Sequence, residues 1–158
     1  MDGRVVWKEE MLFEGLGKSG FVVPMDADPS KEKTNSGPSP MELMALSLAA
    51  CTAMDVISIL QKKREMVTAF EVKIHADRTA DYPKVFTHAA LEYIFSGQAL
   101  SEDAIVRSIE LSVEKYCPVY TMLAQVFPID LRYTIFETED SAAPRVVAQG
   151  TYMPHGLE

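Results

Sequence analysis

The alternation of apolar and polar positions along the chain predicts strands at both ends and in the middle, with helices between them. Strand patterns occupy five segments: 4–13, 18–25, 70–78, 85–95 and 129–136. Gly15 to Gly17 separate the first two, which predicts a β-hairpin, and Asp81 to Pro83 mark a turn between the third and fourth. This mixture of local patterns is typical of the α+β class.

A long apolar stretch, 41–60, predicts a central helix that runs to about residue 64. Two start signals precede it. Ser39 is an N-cap with Glu42 three residues later, which is the spacing of a capping box, and Pro40 takes the first helical position. The stretch is long enough to span a membrane. Because Glu42 and Asp55 interrupt it and charges at membrane depth are costly, we expect a core helix and no membrane partner.

The second half of the chain predicts a helix over 101–116, capped by Ser101 and ended by Pro118, and then a short helix over 119–126. The segment 26–39 is rich in Asp, Ser, Lys, Gly and Pro, so we expect an exposed, mobile loop. We expect one domain over 1–137. Residues 138–158 would form a loosely packed C-terminal tail, whose last two residues, Leu157 and Glu158, resemble a vector scar.

Charge and residue usage exclude several classes of site. The formal charge of −8 and the pI near 4.9 argue against nucleic acid, which needs clustered Lys and Arg. His75 and His88 fall on strand surfaces, and with His155 they lack ligand spacing to either cysteine, so we expect no metal. The N-terminus has no apolar signal-peptide core, which predicts a cytoplasmic protein and argues against a structural disulfide.

The chain has two cysteines in different settings. Cys51 lies in the middle of the long apolar helix, and Cys117 lies at a helix end immediately before Pro118. They stand 66 positions apart (117 minus 51), so only the fold could bring them together, which suggests a redox pair. A free cysteine is also often a small buried hydrophobe, and the residues alone leave that alternative open.

Three stretches of sequence, taken in order, resemble a known family: GPSPMELMALSLAACTAMDVISILQKKR at 37–64, DYPKVFT at 81–87 and SIELSVEKYCPV at 108–119. The resemblance is to the OsmC/Ohr family, the osmotically inducible protein C and organic hydroperoxide resistance proteins, and it covers roughly residues 4 to 136. It implies an OsmC-like fold in which two central helices are wrapped by curved antiparallel sheets. It also implies an intertwined homodimer with active sites at the subunit interface.

The resemblance further implies a stress-response peroxidase that reduces organic hydroperoxides. Cys51 would be the peroxidatic thiol, oxidised to a sulfenic acid, and Cys117 the resolving thiol that closes an intramolecular disulfide. An external dithiol, such as a reduced lipoyl group on a partner protein, would reopen that disulfide. No cofactor such as a metal, haem or flavin would be needed.

The sequence departs from the peroxidases of this family at two positions. They carry an arginine in the first hairpin turn and a glutamate ten residues before the peroxidatic cysteine. Here Lys18 takes the approximate place of the arginine, without its bidentate fork. Glu42 lies nine residues before Cys51, about half a helical turn out of phase, and its capping role explains it without any catalysis. We nevertheless take Lys18 and Glu42 as candidate catalytic residues.

Asp55 raises a second doubt about peroxidase activity. It lies four residues after Cys51 on the same helix face, where an unpaired anion would slow the thiol unless Lys115, Lys18 or Arg78 neutralised it. The alternative function is therefore a non-enzymatic stress-response or binding protein of the same fold. Its pocket for a small apolar ligand would be lined by Met41, Met44 and Met54, although methionines at helical spacing are more often core.

Overall fold

A computed structural model of the chain describes residues 2–27, 36–138 and 143–154. Contacts within the chain divide it into two compact units, Met1–Leu46 and Ser47–Glu158. Most of the predicted mobile loop and the suggested vector scar lie outside the described residues. Two sheets and a few helices make the fold α+β, as the sequence predicts.

The first unit contains three antiparallel strands in the order β1-β2-β3: Gly3–Glu9, Leu12–Gly17 and Val22–Met25. The predicted hairpin turn at Gly15 to Gly17 is wrong, because those glycines lie in β2. The chain turns at Glu10, which has a left-handed φ of 43° and whose carbonyl accepts a hydrogen bond from Trp7 Nε1 at 2.9 Å. It turns again directly after Gly17, where Gly20 N donates to Gly17 O at 3.2 Å. A Cβ at Gly15 would lie 2.9 Å from Met25 Cε, the flexible end of a side chain, so this end of the methionine would have to shift.

The long helix α1, Pro40–Lys62, begins as predicted. Ser39 Oγ accepts a hydrogen bond from Glu42 N at 3.2 Å, and Glu42 Oε2 accepts one from Ser39 N at 3.4 Å, which completes the capping box. By length and composition α1 could cross a membrane, a test that the core helices of soluble proteins also pass. Only 28% of its most apolar 18-residue window is buried within this chain.

The second unit contains a four-stranded sheet in the order β4-β5-β6-β7: Met66–Arg78, Phe86–Gln98, Ile129–Glu137 and Arg145–Tyr152. The sheet is mixed rather than fully antiparallel, because β5 and β6 run parallel. Both strands run further than the predicted segments 70–78 and 85–95, since residues 66–68 belong to β4 and residues 96–98 belong to β5. The chain reverses at Arg64 and Ala99, which have left-handed φ values of 62° and 49°.

The C-terminal segment is better ordered than the sequence predicts. Residues 145–152 form β7, which pairs with β6, so the loose packing expected for this part of the tail is wrong. Tyr152 Oη donates a hydrogen bond of 2.6 Å to Glu114 Oε1, which ties the end of β7 to the helical segment opposite it. Backbone pairing and this buried tyrosine together fix the strand.

The predicted helix over 101–116 changes geometry partway. Ser101 caps α2, Glu102–Leu111, by accepting a hydrogen bond from Ala104 N at 3.2 Å. A π-helical turn, Ser112–Tyr116, follows without a break and is called the π turn below. Cys117 ends it, and Pro118 opens the short helix α3, Pro118–Leu123.

The core of the second unit lies between the inner face of the sheet and the helices. Sheet and helix side chains that are at most 1% exposed form its centre: Leu91, Tyr93, Phe95, Leu131 and Ile135 from strands, and Leu48, Val56, Leu60, Ile105 and Ile109 from α1 and α2. The outer face is polar. His75 and His88 lie there as predicted, where both contact Asp77.

Candidate thiol site

The second unit brings the two cysteines together. Cys51 is half-buried in the middle of α1, and Cys117 is 0% exposed at the junction between the π turn and α3. Both thiols are free, and Cys51 lies close enough to Cys117 to act on the pKa of its thiol. The fold therefore joins two side chains that the sequence keeps far apart, and it gives solvent access to only one of them.

Backbone geometry fixes the position of Cys117. Its N–H donates to Ser112 O at 2.7 Å, which closes the π turn, and its own backbone is extended, with φ −79° and ψ 103°. The sulfur caps the next helix, since Sγ accepts a hydrogen bond from Tyr120 N at 3.3 Å. Cys117 thus lies at a helix end where the chain changes direction, as Pro118 led us to expect.

The surroundings of Cys117 keep its thiol protonated at neutral pH. The pKa of Cys117 is raised from an ordinary 9.0 to about 12, mainly by burial, and the neighbouring Cys51 thiol acts in the same direction. The negative charge of Asp55 also raises this pKa, whereas the Tyr120 N–H opposes the shift. Cys117 is therefore a poor nucleophile until something removes its proton.

Asp55 lies in the same region, where a hydrogen bond joins α1 to the π turn. Ser112 Oγ donates to Asp55 Oδ2 at 3.1 Å and lies 3.4 Å from Thr52 O. In the part of the chain that the structure describes, Asp55 forms no ion pair. Two of its proposed cation partners are engaged elsewhere: Lys115 lies 5.3 Å from the centre of the Tyr116 ring, and Arg78 Nε donates to Lys84 O at 2.8 Å.

Two tyrosine hydroxyls are buried near the thiols without a hydrogen bond of good geometry. Tyr93 comes from the inner face of β5 and Tyr120 from α3. Thr52 lies close enough to Tyr93 to lower the pKa of its hydroxyl, although the two side chains do not form a well-aligned hydrogen bond. Burial is the main cause that raises the pKa of each hydroxyl, to about 12 for Tyr120.

Sequence reasoning missed the polar residues around the thiols: Thr52, Tyr93, Ser112 and Tyr120. The alternation of β5 could have placed Tyr93 inside, and helical periodicity puts Ser112 on the core-facing stripe. Neither pattern indicates that these side chains meet, because they come from elements far apart in sequence. Only the tertiary structure gathers them around Cys117.

Lys18 and Glu42 both belong to the first unit. Lys18 lies in the turn after β2, close to Gly20 with its φ of 80°, and lines an open cavity of about 710 Å³. Glu42 does not line that cavity, and the hydrogen bonds described for it are those with Ser39. Over the described ranges of the chain no ion pair joins Lys18 to Glu42, so their catalytic role stays a prediction.

Within residues 2–27, 36–138 and 143–154, no group of three or more His, Cys, Asp or Glu side chains could hold a metal ion.

The family model described as OsmC-like protein matches residues 33–132. Protein YhfA of Escherichia coli strain K12 is 38% identical over 135 residues, which cover 85% of this chain and 98% of YhfA. That name carries no activity.

Two solved structures extend the comparison. The OsmC-like protein of Mycoplasma pneumoniae has a TM-score of 0.73 at 19% identity, and it covers 85% of this chain and 95% of its own. The organic hydroperoxide resistance protein OhrB of Bacillus subtilis has a TM-score of 0.58 at 14% identity, and it covers 84% of this chain and 98% of its own. At these identities the likeness concerns the fold. The match over residues 33–132 and the similarity to YhfA establish that the chain belongs to the OsmC-like family.

Proposed function

We propose that the protein is a thiol-dependent peroxidase that reduces organic hydroperoxides. The observation that carries this proposal is the proximity of its two free thiols, one half-buried and one fully buried. A half-buried thiol can meet a substrate, and a buried thiol beside it can intercept the oxidised product before further oxidation. The family and its hydroperoxide-resistance members support a redox function of this kind.

The reaction divides into two steps at the thiols. The Cys51 thiolate attacks the outer oxygen of the hydroperoxide, an S–O bond forms, the O–O bond breaks, and the substrate leaves as an alcohol after taking a proton. Cys117 then attacks the Cys51 sulfenic acid, forming a disulfide and releasing water. An external dithiol, such as a reduced lipoyl group, returns both sulfurs to thiols.

Unequal burial supports the assignment of roles. Cys117 is fully buried and its raised pKa keeps it a thiol, so it is unsuited to first contact with a peroxide. Cys51 is half-buried and free of any disulfide, as a first nucleophile must be. We therefore assign peroxide attack to Cys51 and resolution to Cys117, in a protein kept reduced in the cytoplasm.

We also propose that two copies of the chain form the working unit. The first unit exposes large apolar side chains on its strands and the loop beside them, including Val5 at 63%, Trp7 at 62% and Phe21 at 78%. Met54, on the α1 segment of the second unit, is 72% exposed. Apolar surface of this extent marks an interaction site, and a second copy is the partner that the family fold favours.

The alternative is a binding protein for a small apolar ligand. The 710 Å³ cavity of the first unit, with Leu16, Phe21 and Leu43 among its lining residues, favours it. However, Met41, Met44 and Met54, the methionines expected to line such a pocket, do not border this cavity.

Turnover separates the two functions. Consumption of cumene hydroperoxide and of hydrogen peroxide would be measured with dithiothreitol or dihydrolipoamide as the reductant. A peroxidase consumes the organic substrate faster and requires both cysteines. If no peroxide is consumed while an apolar probe binds with both cysteines replaced, the binding function is correct instead.

A further inference from the structure

The proposed reaction leaves one proton without a carrier. Cys117 must lose its proton as it attacks Cys51, yet Cys117 is fully buried. Its pKa is raised by burial, by the Cys51 thiol and by the charge of Asp55. A thiol in this state attacks slowly unless a nearby base accepts the proton. The site should therefore contain such a base.

Asp55 is held where it can act as that base. Its Oδ2 accepts a hydrogen bond from Ser112 Oγ at 3.1 Å, and its Oδ1 has no hydrogen-bond partner within the described parts of the chain. One oxygen anchors the carboxylate and leaves the other available for a proton. Because Asp55 is half-buried, it can also exchange protons with water.

The same carboxylate lies near both sulfurs. Asp55 stands one helical turn after Cys51 on α1, a spacing that puts Cβ atoms about 5–6 Å apart on the same face. Its anchor, Ser112, is the first residue of the π turn, and the carbonyl of Ser112 accepts the N–H of Cys117 at 2.7 Å. One π turn thus sets both the carboxylate and the resolving thiol.

We propose that Asp55 relays the proton in the step that joins Cys51 to Cys117, and that Ser112 is its positioning residue. The inference rests on the proposed peroxidase reaction. As Cys117 attacks, its sulfur supplies the electron pair of the new S–S bond, and Oδ1 of Asp55 takes its proton. The S–O bond of the Cys51 sulfenic acid breaks, its electron pair leaves with the oxygen, and Asp55 returns the proton to form water.

This role explains why an anion lies beside a reactive thiol. In the reduced protein, the charge of Asp55 favours the protonated form of Cys117, so the resolving thiol stays unreactive while Cys51 meets the peroxide. Once Cys51 carries a leaving hydroxyl, the same carboxylate has both a proton donor and a proton acceptor beside it. Asp55 thereby separates the two steps in time.

The test measures the two steps separately. Reduced protein is mixed with one equivalent of cumene hydroperoxide and quenched at intervals, and mass spectrometry counts Cys51 sulfenic acid, trapped with dimedone, and the disulfide. In Asp55→Asn the sulfenic acid should form at least as fast as in the parent, because an anion beside Cys51 has been removed. Disulfide formation should slow by about 100-fold, the scale of general acid–base catalysis.

The pH profile distinguishes a proton relay from a structural role. The titratable side chains that interact electrostatically with Cys117, besides Asp55, are Cys51 on α1, Tyr93 on β5 and Tyr120 on α3. In Asp55→Asn, disulfide formation should depend on spontaneous ionisation of Cys117 and rise about tenfold per pH unit between about pH 7 and pH 9. The parent rate should change little over that range.

Two serine variants provide a matched pair. Ser112→Ala should lengthen the life of the sulfenic acid several-fold and keep the flat pH profile, because the carboxylate is retained but less well held. Ser108→Ala is the control. Ser108 is also fully buried, but it donates to Ala104 O at 2.6 Å and touches no carboxylate in the described contacts, so its rates should match those of the parent.

Failure of this inference can be told from failure of the proposed function. Diamide oxidises paired thiols without peroxide. One thiol adds to its N=N bond, and the second attacks the sulfur of this adduct, forming the disulfide and displacing the reduced hydrazine, so the reaction also requires deprotonation of Cys117. If cumene hydroperoxide oxidises no thiol, the peroxidase proposal fails, and the diamide reaction still tests Asp55. If Asp55→Asn closes the disulfide at the parental rate with either oxidant, or with a flat pH profile, the inference is overturned.

Discussion

The backbone N–H of Tyr120 donates a hydrogen bond of 3.3 Å to the sulfur of Cys117. Cys117 thus closes the π turn with its backbone N–H, caps α3 with its sulfur and lies close to Cys51. These hydrogen bonds hold Cys117 at both its backbone N–H and its sulfur. The position of the thiol is therefore fixed by the surrounding backbone. This fixed geometry determines how the two cysteines should differ when each is replaced.

Replacing the cysteines singly should separate their roles. Cys51→Ser should abolish peroxide consumption, since a serine hydroxyl has almost no anionic form at neutral pH and cannot form a sulfenic acid. Cys117→Ser should still reduce one peroxide and then accumulate sulfinic acid on Cys51 under excess oxidant. Mass spectrometry after peroxide treatment would show oxygen added to Cys51 in the second variant and an unmodified Cys117 in the first. The opposite pattern would show that the two roles are exchanged.

The raised pKa of Cys117 makes stability fall in alkali. A thiol whose pKa is about 12 when folded and near 9 when unfolded holds a proton more tightly in the native state. Its contribution is therefore complete below about pH 9 and is lost as the pH rises towards 12. The pKa of Tyr120, raised from 10.0 to about 12, acts in the same direction.

Urea unfolding of the reduced protein at about pH 7, pH 9 and pH 10.5 would measure this loss. The free energy of unfolding should decline above about pH 9, and Cys117→Ala should show a shallower decline than the parent. Equal slopes in parent and variant would mean that the buried thiol contributes nothing to the alkaline loss.

The two roles considered for Glu42 can be separated by charge. Glu42→Gln keeps a side chain that completes a capping box but removes the negative charge. Ser39→Ala removes the cap, at a cost of about 1 kcal/mol, and keeps that charge. If Glu42 acts only as a cap, Glu42→Gln should retain parental turnover of cumene hydroperoxide. If Glu42 assists catalysis, as predicted for it together with Lys18, turnover should fall about tenfold or more while the melting temperature holds.

The catalytic role predicted for Lys18 can be tested in the same way, by measuring turnover in charge variants. Lys18→Arg would supply the bidentate fork that the family's peroxidases place in this turn, and Lys18→Ala would remove the charge. We expect turnover to rise or hold with arginine and to fall with alanine. Because Lys18 lies in an exposed turn, neither change should alter the unfolding free energy by more than about 0.5 kcal/mol. Parental turnover in both variants would remove Lys18 from the reaction.

Local signals predicted the element starts best. The Ser39–Glu42 box and the Ser101 cap are side-chain contacts within four residues, and both form as their spacing indicates. The turn at Glu10 went unpredicted because glutamate rarely takes a left-handed φ. The π turn was invisible too, since Ser112–Tyr116 continues the apolar stripe of α2 and only its hydrogen-bond spacing changes.

The sequence indicated which residue types form the site, but not which side chains lie next to one another. The two cysteines, both in helical settings, could be identified as candidates from the sequence, and the fold brings them together. The hydrogen bond from Ser112 to Asp55 joins residues 57 positions apart, so no local pattern could indicate it. Asp55 could be read from sequence only as an anion near Cys51, and its anchor and its effect on Cys117 required the structure.

The exposed apolar surfaces predict self-association. Light scattering at micromolar concentration should give about twice the 17.6 kDa mass of one chain. Phe21→Glu and Met54→Glu, each at a strongly exposed apolar position, should shift the protein towards monomer, because a buried charge at an interface is costly. A parent protein of 17.6 kDa under these conditions would refute the proposed dimer.

Non-reducing peptide mapping after one equivalent of cumene hydroperoxide would detect the product of the proposed reaction itself. We expect a disulfide between Cys51 and Cys117 of the same chain. By the chain-entropy estimate, closing this loop should add about 4 kcal/mol of stability, so the oxidised protein should melt at a higher temperature unless strain offsets the gain. Free thiols in both peptides after treatment, or only disulfides between chains, would contradict it.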